Sequence, residues 1–415
     1  MTPTPRLAFA LAAAAAVLIA FGATLGAIAV ALVAAGYVVD VWRLRRDPVV
    51  SRDVPDLMQR LHPAPLHITG TNPAAQSVRL LQPQIPDIDV VDQEAVGELV
   101  TTLTAARRGG HVLPAVAVRC VGPLGLAVRD REMCGNHEVT VYPDVIGAKR
   151  IARAVASGAF TSVGWRRRGP IGIGTEFESI RDYTPDDDIR HVNWRATLRT
   201  GKPMTNAYRI DRDRDVMCVI DSGRLMTSPI GPHTRLDIAV DAAAAIAHTA
   251  DALGDRCGVV AFSNRILRSL PPARRGAEAV VEAIYDLEPQ PVQSNYELAF
   301  RATARSKRSL VVVFTDLFEE MAAAPLLEAL PLLSRTHAVV LAYVRDDDLR
   351  EAVVNPGDDP QSPYRAVVAL DALRVHRRTA ERLRHRGITV IEAAPESLPA
   401  AAVGAYLDLK HRAVV

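Results

Sequence analysis

The most apolar stretch of the sequence runs from Leu7 to Val39 and contains no charged side chain. One helix needs about 20 apolar residues to cross a bilayer, so this stretch is longer than a single span requires. As a helix with a rise of about 1.5 Å per residue it reaches roughly 50 Å, which lies between one span and two. The pattern therefore predicts a membrane anchor, either one tilted helix or a tight two-helix hairpin.

Charges on both sides of this stretch favour the hairpin. Arg6 precedes it, and a basic cluster follows it, made of Arg43, Arg45 and Arg46. Basic flanks mark the cytoplasmic side, and a turn at Gly22 to Gly26 places both flanks there. A cleaved signal peptide fits less well, because its apolar core covers only about 7–15 residues. We assign residues 1–47 to an anchor in the cell membrane and expect the rest of the chain in the cytoplasm.

Short runs with a two-residue period follow the anchor, separated by Gly, Pro and Asn. These runs are Leu66 to Thr69, Ser77 to Leu81, Leu99 to Leu103, Val112 to Val118 and Glu138 to Tyr142. In the fourth run, Val112, Val116 and Val118 fall on one face of a strand. Arg107 to Gly110 is interpreted as a solvated hairpin tip. The spacing predicts a small antiparallel β-sandwich, which we assign to residues 51–160.

From Val216 onward, apolar β-branched runs alternate with segments of helical period. The first run ends in Asp221, a helix is predicted over Leu236 to Leu253, and the next strand covers Gly258 to Phe262. The alternation continues to the end of the chain and implies a parallel sheet with helices on both faces. We assign residues 214–415 to a doubly wound α/β domain and residues 161–213 to a charged connecting block.

Composition excludes several classes of protein. Hydrophobic residues make up 49% and charged residues 23% of the 415 residues, which excludes a mainly disordered chain, a collagen-like chain or a polytopic transporter. Lys and Arg number 49 against 47 Asp and Glu, so net charge gives no reason to expect a nucleic-acid partner. The four cysteines form no CxxC pair, which argues against a disulfide scaffold or a zinc module.

The densest chemical signal lies between Trp165 and Arg199, where acidic residues alternate with arginines among aromatic side chains. Arg guanidinium groups bind carboxylates through two parallel hydrogen bonds, so an ion-paired structural or partner-binding block is one interpretation. The alternative is an enzyme that uses paired carboxylates with a histidine for proton transfer. Its candidate residues are Glu176, Asp182, Asp187 and His191.

The order of residues from Gly174 to Arg199 resembles the signature of the domain of unknown function 58 family. The residues that carry the match are Glu176, Phe177, Arg181, Tyr183, Pro185, Asp187, Arg190, Asn193, Trp194 and Arg199. Asp186 stands where the family usually has Gly, so we expect a different turn at this position. The upstream strands and the N-terminal anchor resemble the family's layout as well. The resemblance implies a bacterial membrane protein that accompanies a MoxR-type AAA+ ATPase in a chaperone or assembly role, and it supplies no catalytic residue.

The C-terminal domain resembles the von Willebrand factor type A domain. That fold carries a metal-ion-dependent adhesion motif, Asp-x-Ser-x-Ser, after its first strand and a second Asp after its fourth. Here Asp221 is followed by Ser222, but Gly223 and Leu225 occupy the two serine positions of the motif. Asp221, Ser222 and Asp316 are therefore an incomplete oxygen shell for Mg²⁺, the one cofactor with any candidate residues. The competing interpretation is that these acids cap helices or pair with nearby Arg.

Taken together, the sequence predicts a membrane-anchored, non-enzymatic protein-binding or assembly scaffold. The expected partners are the lipid bilayer and a protein, named by the resemblance as a MoxR-type AAA+ ATPase. The expected binding surface combines the signature block with the sheet edge near Asp221 and Asp316. Two alternatives stay open, the enzyme built on the block and a metal-dependent adhesion module at Asp221 and Asp316.

Overall fold

The computed structural model describes residues 1–160, 176–184, 189, 192–209, 214–304, 307–316, 320–355, 357 and 359–411. The chain divides into two compact units, Met1–Tyr142 and Pro143–Val415. We call them the N-terminal unit and the C-terminal unit.

Two apolar helices open the N-terminal unit, α1 (Pro5–Phe21) and α2 (Ala23–Arg43). They are separated by Gly22, whose positive φ of 91° favours glycine. The helices pack closely, since a methyl group added at Gly26 would lie 2.5 Å from Cβ of Leu18. α2 is long and apolar enough to cross a membrane, whereas α1 is shorter, with 17 residues.

The rest of this unit is built from short strands. In chain order they are β1 (Thr2–Pro3), β2 (Val49–Asp53), β3 (Leu57–Gln59), β4 (Pro63–Thr71), β5 (Ser77–Leu81), β6 (Ile88–Val90), β7 (Glu94–Val96), β8 (Glu98–Ala105), β9 (Gly109–Leu113), β10 (Val116–Val121), β11 (Ala127–Met133) and β12 (His137–Tyr142). They form three sheets, ordered β1-β11-β10-β5-β7, β2-β4-β8-β6 and β3-β12-β9. All pairings are antiparallel except that of β3 with β12.

Alternation along the strands explains the core of the N-terminal unit. In β4 the buried Leu66 and Ile68 alternate with more exposed neighbours, and in β8 Leu99 and Leu103 do the same. Because side chains of a strand point alternately to opposite faces, each strand places one apolar row in the shared core. The predicted antiparallel sheets are therefore present.

Two local predictions in this unit were wrong. Val112 to Val118 is not one strand, because the chain breaks at Pro114 and places Val112 in β9 and Val118 in β10. Pro114 lacks a backbone N–H for a sheet ladder, which accounts for the break. Likewise, Arg107 to Gly110 is not a hairpin tip: Arg107 and Arg108 lie between β8 and β9, which belong to different sheets, and Gly109 and Gly110 are part of β9.

The C-terminal unit alternates helices with strands. Its helices are α3 (Val145–Ala156), α4 (Trp194–Thr200), α5 (Arg235–Leu253), α6 (Ala277–Ile284), α7 (Tyr296–Ala304), α8 (Glu320–Ala329), α9 (Pro331–Ser334), α10 (Asp347–Val354), α11 (Ser362–His385) and α12 (Leu398–His411). Its strands are β13 (Glu176–Asp182), β14 (Met204–Arg209), β15 (Asp215–Asp221), β16 (Pro229–Ile230), β17 (His233–Thr234), β18 (Arg256–Phe262), β19 (Ile266–Arg274), β20 (Leu310–Phe314), β21 (Ala338–Val344) and β22 (Thr389–Ala393).

A six-stranded sheet organises the described part of this unit, with the order β19-β18-β15-β20-β21-β22. All neighbours are parallel except β19, which pairs antiparallel with β18 at the edge. Residues of β15 are buried on both faces: Met217 and Val219 join a core that includes α7, while α5 also packs on this strand. The parallel α/β sheet was predicted, and the antiparallel edge strand β19 was not.

Helix α5 is the central helix of the unit and is buried along almost its whole length. Thr234 begins it with a capping box, in which its hydroxyl and the carboxylate of Asp237 each accept a backbone N–H. Gly254 ends it in the left-handed conformation. α5 packs against α3, a helix that lies within residues 51–160, the segment assigned to the sandwich from sequence.

Candidate functional site

The strand order reverses between β15 and β20, and two predicted site residues lie at this point. Asp221 is the last residue of β15, and Asp316 follows β20 by two residues. In open α/β sheets this crevice at the carboxyl ends of the strands is where ligands bind. Both side chains are buried here, Asp221 completely.

The carboxylate of Asp221 is surrounded by hydrogen-bond donors from the protein itself. Oδ1 accepts from the Gly223 N–H at 2.8 Å and from the Ser294 hydroxyl at 2.5 Å. Oδ2 accepts from the Tyr296 hydroxyl at 2.9 Å and from the Thr315 hydroxyl at 2.7 Å. Hydrogen bonds of this kind satisfy a buried carboxylate without a cation.

The substitution of Gly for the first motif serine has a steric reason. A Cβ atom at position 223 would lie 2.0 Å from Oγ of Ser294 and 3.2 Å from Oδ1 of Asp221. The space of a side chain at 223 is therefore taken by Ser294, which brings a hydroxyl to Asp221 from a distant part of the chain. Ser222 is buried as well, and its backbone is paired with Phe262 and Gln290.

Asp316 belongs to a buried ionic network. Nη1 of Arg235 lies 2.5 Å from Oδ2 of Asp316, and Nη2 of the same guanidinium lies 2.7 Å from Oδ2 of Asp346. Nε2 of His376 lies 3.7 Å from Oδ1 of Asp316. Arg235 thus places a fixed positive charge beside the carboxylate that the sequence offered as a cation ligand. Within the described residues, no group of three or more His, Cys, Asp or Glu side chains is placed to hold a metal ion.

Burial shifts the acid–base properties of two neighbours. Burial, together with the negative charge of Asp221, raises the pKa of the Tyr296 hydroxyl well above its usual value, so Tyr296 remains a neutral donor. Burial is also the main cause that lowers the pKa of His376, with Arg235 acting in the same direction and Asp316 against it. His376 is accordingly neutral near pH 7. The switch point is a closed, hydrogen-bonded structure in which Asp221, Asp316 and Arg235 are buried.

The signature block is described in part, as strand β13, helix α4 and strand β14. β13 and β14 pair antiparallel, and Arg181 and Asp182 are exposed on β13 while Tyr183 is half-buried after it. Asn193 begins α4, because its Oδ1 accepts the Ala196 N–H at 3.0 Å. Its Nδ2 also donates to Oδ1 of Asn206 at 2.8 Å, which ties the helix start to β14.

Part of the signature block lies outside the described residues, namely Pro185, Asp187, Arg190 and His191. Glu176 and Phe177 are described only as backbone positions of β13. Of the four residues proposed for an enzyme, only the exposed Asp182 has a described side chain.

Helix α4 presents an exposed apolar pair. Trp194 is 65% exposed and Leu198 is 86% exposed. They are four residues apart, so they lie on the same face of the helix one turn from each other. Arg199 is exposed on the same short helix, and Ala196 is the residue that the helix buries. Large apolar side chains so fully exposed mark candidate interaction surfaces.

The residues around the switch point that sequence analysis missed come from distant segments. They are Arg235, Ser294, Tyr296, Thr315, Asp346 and His376. The sequence held one signal for Arg235. It directly follows Thr234, whose residue type often begins helices, and a helical apolar period starts just after it. Ser294 lies in a loop without a periodic pattern, and no local signal pointed to it.

Comparison with known proteins gives one family match. The family described as "Protein of unknown function DUF58" matches residues 179–400, more than half of the 415-residue chain. Uncharacterized proteins of Mycobacterium tuberculosis and Mycobacterium bovis are 28% identical to the chain over 152 residues. The alignment covers 35% of this chain and 48% of each relative, so the chain spans about half the length of these relatives.

Two solved structures resemble small regions of the chain. The sulfur carrier protein SoxY from Chlorobium limicola matches with 13% identity and a TM-score of 0.15, covering 22% of this chain and 77% of SoxY. A PKD domain of a peptidase from a Thermoplasmatales archaeon matches with 16% identity and a TM-score of 0.15. It covers 23% of this chain and 96% of that domain.

Proposed function

This chain belongs to the family of proteins of unknown function DUF58, and from that premise we propose that it is a membrane-anchored, non-enzymatic protein-binding scaffold. In this proposal its binding partner is a MoxR-type AAA+ ATPase, the class of protein that the family resemblance implies. In the same proposal the chain after the anchor faces the cytoplasm, and the signature block makes the contact.

The observation that carries the proposal is the exposed pair Trp194 and Leu198. Tryptophan is among the residues that contribute most to protein interfaces, and its exposure has no stabilising role in a free monomer. The pair lies on a helix whose start is capped by Asn193 and tied through Asn193 to Asn206 of β14. An exposed apolar anchor next to Arg195 and Arg199 suits a protein partner better than a small polar substrate.

The chemistry of the switch point supports a binding role. Asp221 accepts four hydrogen bonds from the chain, and Asp316 is paired with Arg235. Since both carboxylates are buried, a partner would contact the residues around them rather than the acids themselves. This refines the sequence prediction, which placed the sheet edge near these two acids on the binding surface.

We assign the C-terminal unit a degenerate von Willebrand factor type A-like fold as part of the same proposal. When only the six strands of the large sheet are numbered, in chain order, the sheet has the order 3-2-1-4-5-6, which places the crevice between β15 and β20. Asp221 and Asp316 occupy the positions where such a domain holds its metal-ion motif. In the proposal, the guanidinium of Arg235 supplies the positive charge that a divalent cation supplies in a complete motif.

The anchor is proposed to be a two-helix hairpin. The start of α1 and the end of α2 contact the same turn of the sheet, since the Thr4 N–H donates to Leu126 O at 3.1 Å and Asp40 accepts the Leu126 N–H at 2.8 Å. A chain that leaves and returns at one point reaches the bilayer from one side. The bonds of Asp40 also tie α2 to the folded unit, which favours a retained anchor over a removed signal sequence.

Two alternatives are separated from the proposal by direct measurements. If the chain were a metal-dependent adhesion module, Mg²⁺ would raise the melting temperature of the wild-type protein and not that of Asp221→Ala. We expect no Mg²⁺-dependent shift in either protein. If the chain were an enzyme, turnover of a substrate would be lost in Asp182→Asn, a change at an exposed residue that leaves the fold intact.

Site-specific photo-crosslinking tests the binding surface. The full chain is placed in lipid nanodiscs with a benzophenone amino acid at position 194 and mixed with the purified MoxR-type ATPase of the same organism. A matched control carries the same group in place of Tyr364, which is 77% exposed on α11. We expect a crosslinked product from position 194 and none from position 364. Equal products at both positions, or none at 194, would contradict the proposal.

A further inference from the structure

The turn between β10 and β11 differs from an ordinary solvated turn in its composition. It consists of Gly122, Pro123, Leu124, Gly125, Leu126 and Ala127, which we call the β10–β11 turn. It contains no polar side chain, and Leu124 at its tip is 53% exposed. By contrast, the loop between β8 and β9 carries Arg107 and Arg108.

This apolar tip lies beside the candidate membrane helix α2. A methyl group at Gly36 would be 3.2 Å from Cδ1 of Leu124 and 3.1 Å from Cδ1 of Leu126. Gly36 is seven residues before Arg43, which corresponds to about 10 Å along a helix. If Arg43 lies at the level of the headgroups, the side chain of Leu124 lies on the apolar side of that level.

The backbone N–H groups of the turn are hydrogen-bonded within the protein, as an environment without water requires. Asp40, which is fully buried, accepts the N–H groups of Leu124 at 2.9 Å, Leu126 at 2.8 Å and Ala127 at 3.3 Å. The N–H groups of Gly122 and Gly125 donate to carbonyl groups within the turn. Since Pro123 has no N–H, every backbone donor of this stretch has an acceptor.

Two backbone carbonyl groups of the turn also accept hydrogen bonds from Thr4, just before α1. The hydroxyl of Thr4 donates to Gly125 O at 2.6 Å, and the N–H of Thr4 donates to Leu126 O at 3.1 Å. Irregular backbone enters the apolar part of a bilayer only where protein satisfies its polar groups. The same bonds give the carboxylate of Asp40 the partners that an acid near the membrane requires.

We infer that the β10–β11 turn is inserted into the boundary between headgroups and acyl chains, as a wedge beside α2 with Leu124 in contact with lipid. The inference rests on the proposed membrane anchor and adds a third membrane contact to its two helices. An apolar insertion of about 5–10 Å is typical of segments held at this boundary. The wedge sets the N-terminal unit in a fixed orientation against the membrane surface.

Fluorescence quenching in nanodiscs tests the inference with the full chain. Cys134, the exposed native cysteine, is replaced by Ser, and the other three cysteines are buried. An environment-sensitive probe is attached at Leu124→Cys, at Val112→Cys and at Ile28→Cys. Val112 is an exposed valine on β9, a strand of a different sheet from β10 and β11, and Ile28 is exposed on α2. Quenchers are a spin-labelled lipid and aqueous iodide.

We expect the probe at position 124 to be quenched by lipid like that at position 28, and at least about twofold more than that at position 112. Quenching by aqueous iodide should be stronger at position 112 than at positions 124 and 28. If the probe at 28 contacts lipid while the probe at 124 is quenched like that at 112, the insertion is wrong and the anchor stands. If the probe at 124 is shielded from both quenchers, it is covered by protein and the inference also fails. If the probe at 28 is quenched by iodide, the anchor itself fails and the insertion with it.

Discussion

At the scale of single residues, the buried pairing of Arg235 with Asp316 and Asp346 is the feature with the largest expected effect. The guanidinium links the end of β20 to the start of α10, where Asp346 also accepts the Leu349 N–H at 3.2 Å. Removing one partner of a buried pair leaves an uncompensated charge in a medium that solvates it poorly. The network therefore holds the switch point closed.

We predict that Arg235→Met lowers the free energy of unfolding by about 3–5 kcal/mol, because both aspartates lose their partner inside the protein. Chemical denaturation monitored by circular dichroism measures this change in the free energy of unfolding. Arg345→Met is the matched control, since Arg345 pairs with Asp347 at 2.6 Å in a solvated position. The control should change stability by less than about 1 kcal/mol. Equal effects of the two changes would show that the buried network is not structural.

His376 gives stability a defined dependence on pH. Its pKa is lowered from its ordinary value of 6.5 in the folded state, mainly by burial. The groups that act on it are Asp316, Arg235, Glu392 and Asp346, and the ring of Tyr343 packs against it. Because the unfolded chain binds a proton more readily, stability is complete above pH 6.5 and falls as the pH drops toward the folded-state pKa.

We predict that His376→Gln reduces this loss of stability between pH 6.5 and 5. Denaturation curves at half-unit steps of pH compare the two proteins. His248 and His337 also have lowered pKa values through burial, so part of the slope remains in the variant. His337→Gln serves as a second, independent variant with the same expected direction. A slope that is identical in wild type and both variants would contradict the assignment.

At the scale of elements, the contact of α2 with the β10–β11 turn depends on one glycine. A Cβ atom at Gly122 would lie 2.4 Å from Cγ of Asp40. Such a clash displaces the carboxylate from the three N–H groups that it accepts. Each unsatisfied buried donor costs about 1–3 kcal/mol.

We predict that Gly122→Ala destabilises the N-terminal unit by at least about 2 kcal/mol. Gly110→Ala is the matched control, because a Cβ atom there meets nothing within 4 Å. Thermal unfolding in detergent, monitored by intrinsic fluorescence, distinguishes the two. Asp40→Ala should resemble Gly122→Ala, and a neutral result for both would mean that the helix is not coupled to the sheet through this turn.

Sequence patterns predicted elements where the period was long and regular. The alternation of strands and helices after Val216 led to the parallel sheet, since buried parallel strands are continuous apolar runs such as Leu310–Phe314. The edge strand β19 was missed because its residues, Ile266–Arg274, include two prolines and alternate poorly. The break at Pro114 was missed because the valines on either side fit one period.

The candidate site was predicted less completely than the fold. Asp221 and Asp316 were found because strand ends are local features of the sequence. Their partners come from loops and helices far along the chain, such as Ser294 and His376, and only the folded structure brings them together. The exposure of Trp194 was also beyond sequence patterns, since an aromatic residue in a charged block is as consistent with a buried ion-paired core as with a surface anchor.

At the scale of the whole molecule, the proposal joins an anchor, a sandwich-like unit and an α/β unit in one binding protein. In the proposal the anchor contributes localisation, and the closed switch point contributes a stable scaffold rather than a reactive group. The proposal assigns affinity for the partner to the exposed pair on α4. Each of these roles is separable by mutation, because the residues responsible lie in different elements.

The most direct test of the central claim is a binding titration of the MoxR-type ATPase against the full chain in nanodiscs. We predict that Trp194→Ala weakens binding by about 30-fold or more, equivalent to about 2 kcal/mol for an interface anchor. Tyr364→Ala, which removes an equally exposed aromatic side chain from α11, should leave the affinity within about twofold of wild type. Unchanged affinity in Trp194→Ala, or no binding by the wild-type chain, would contradict the account.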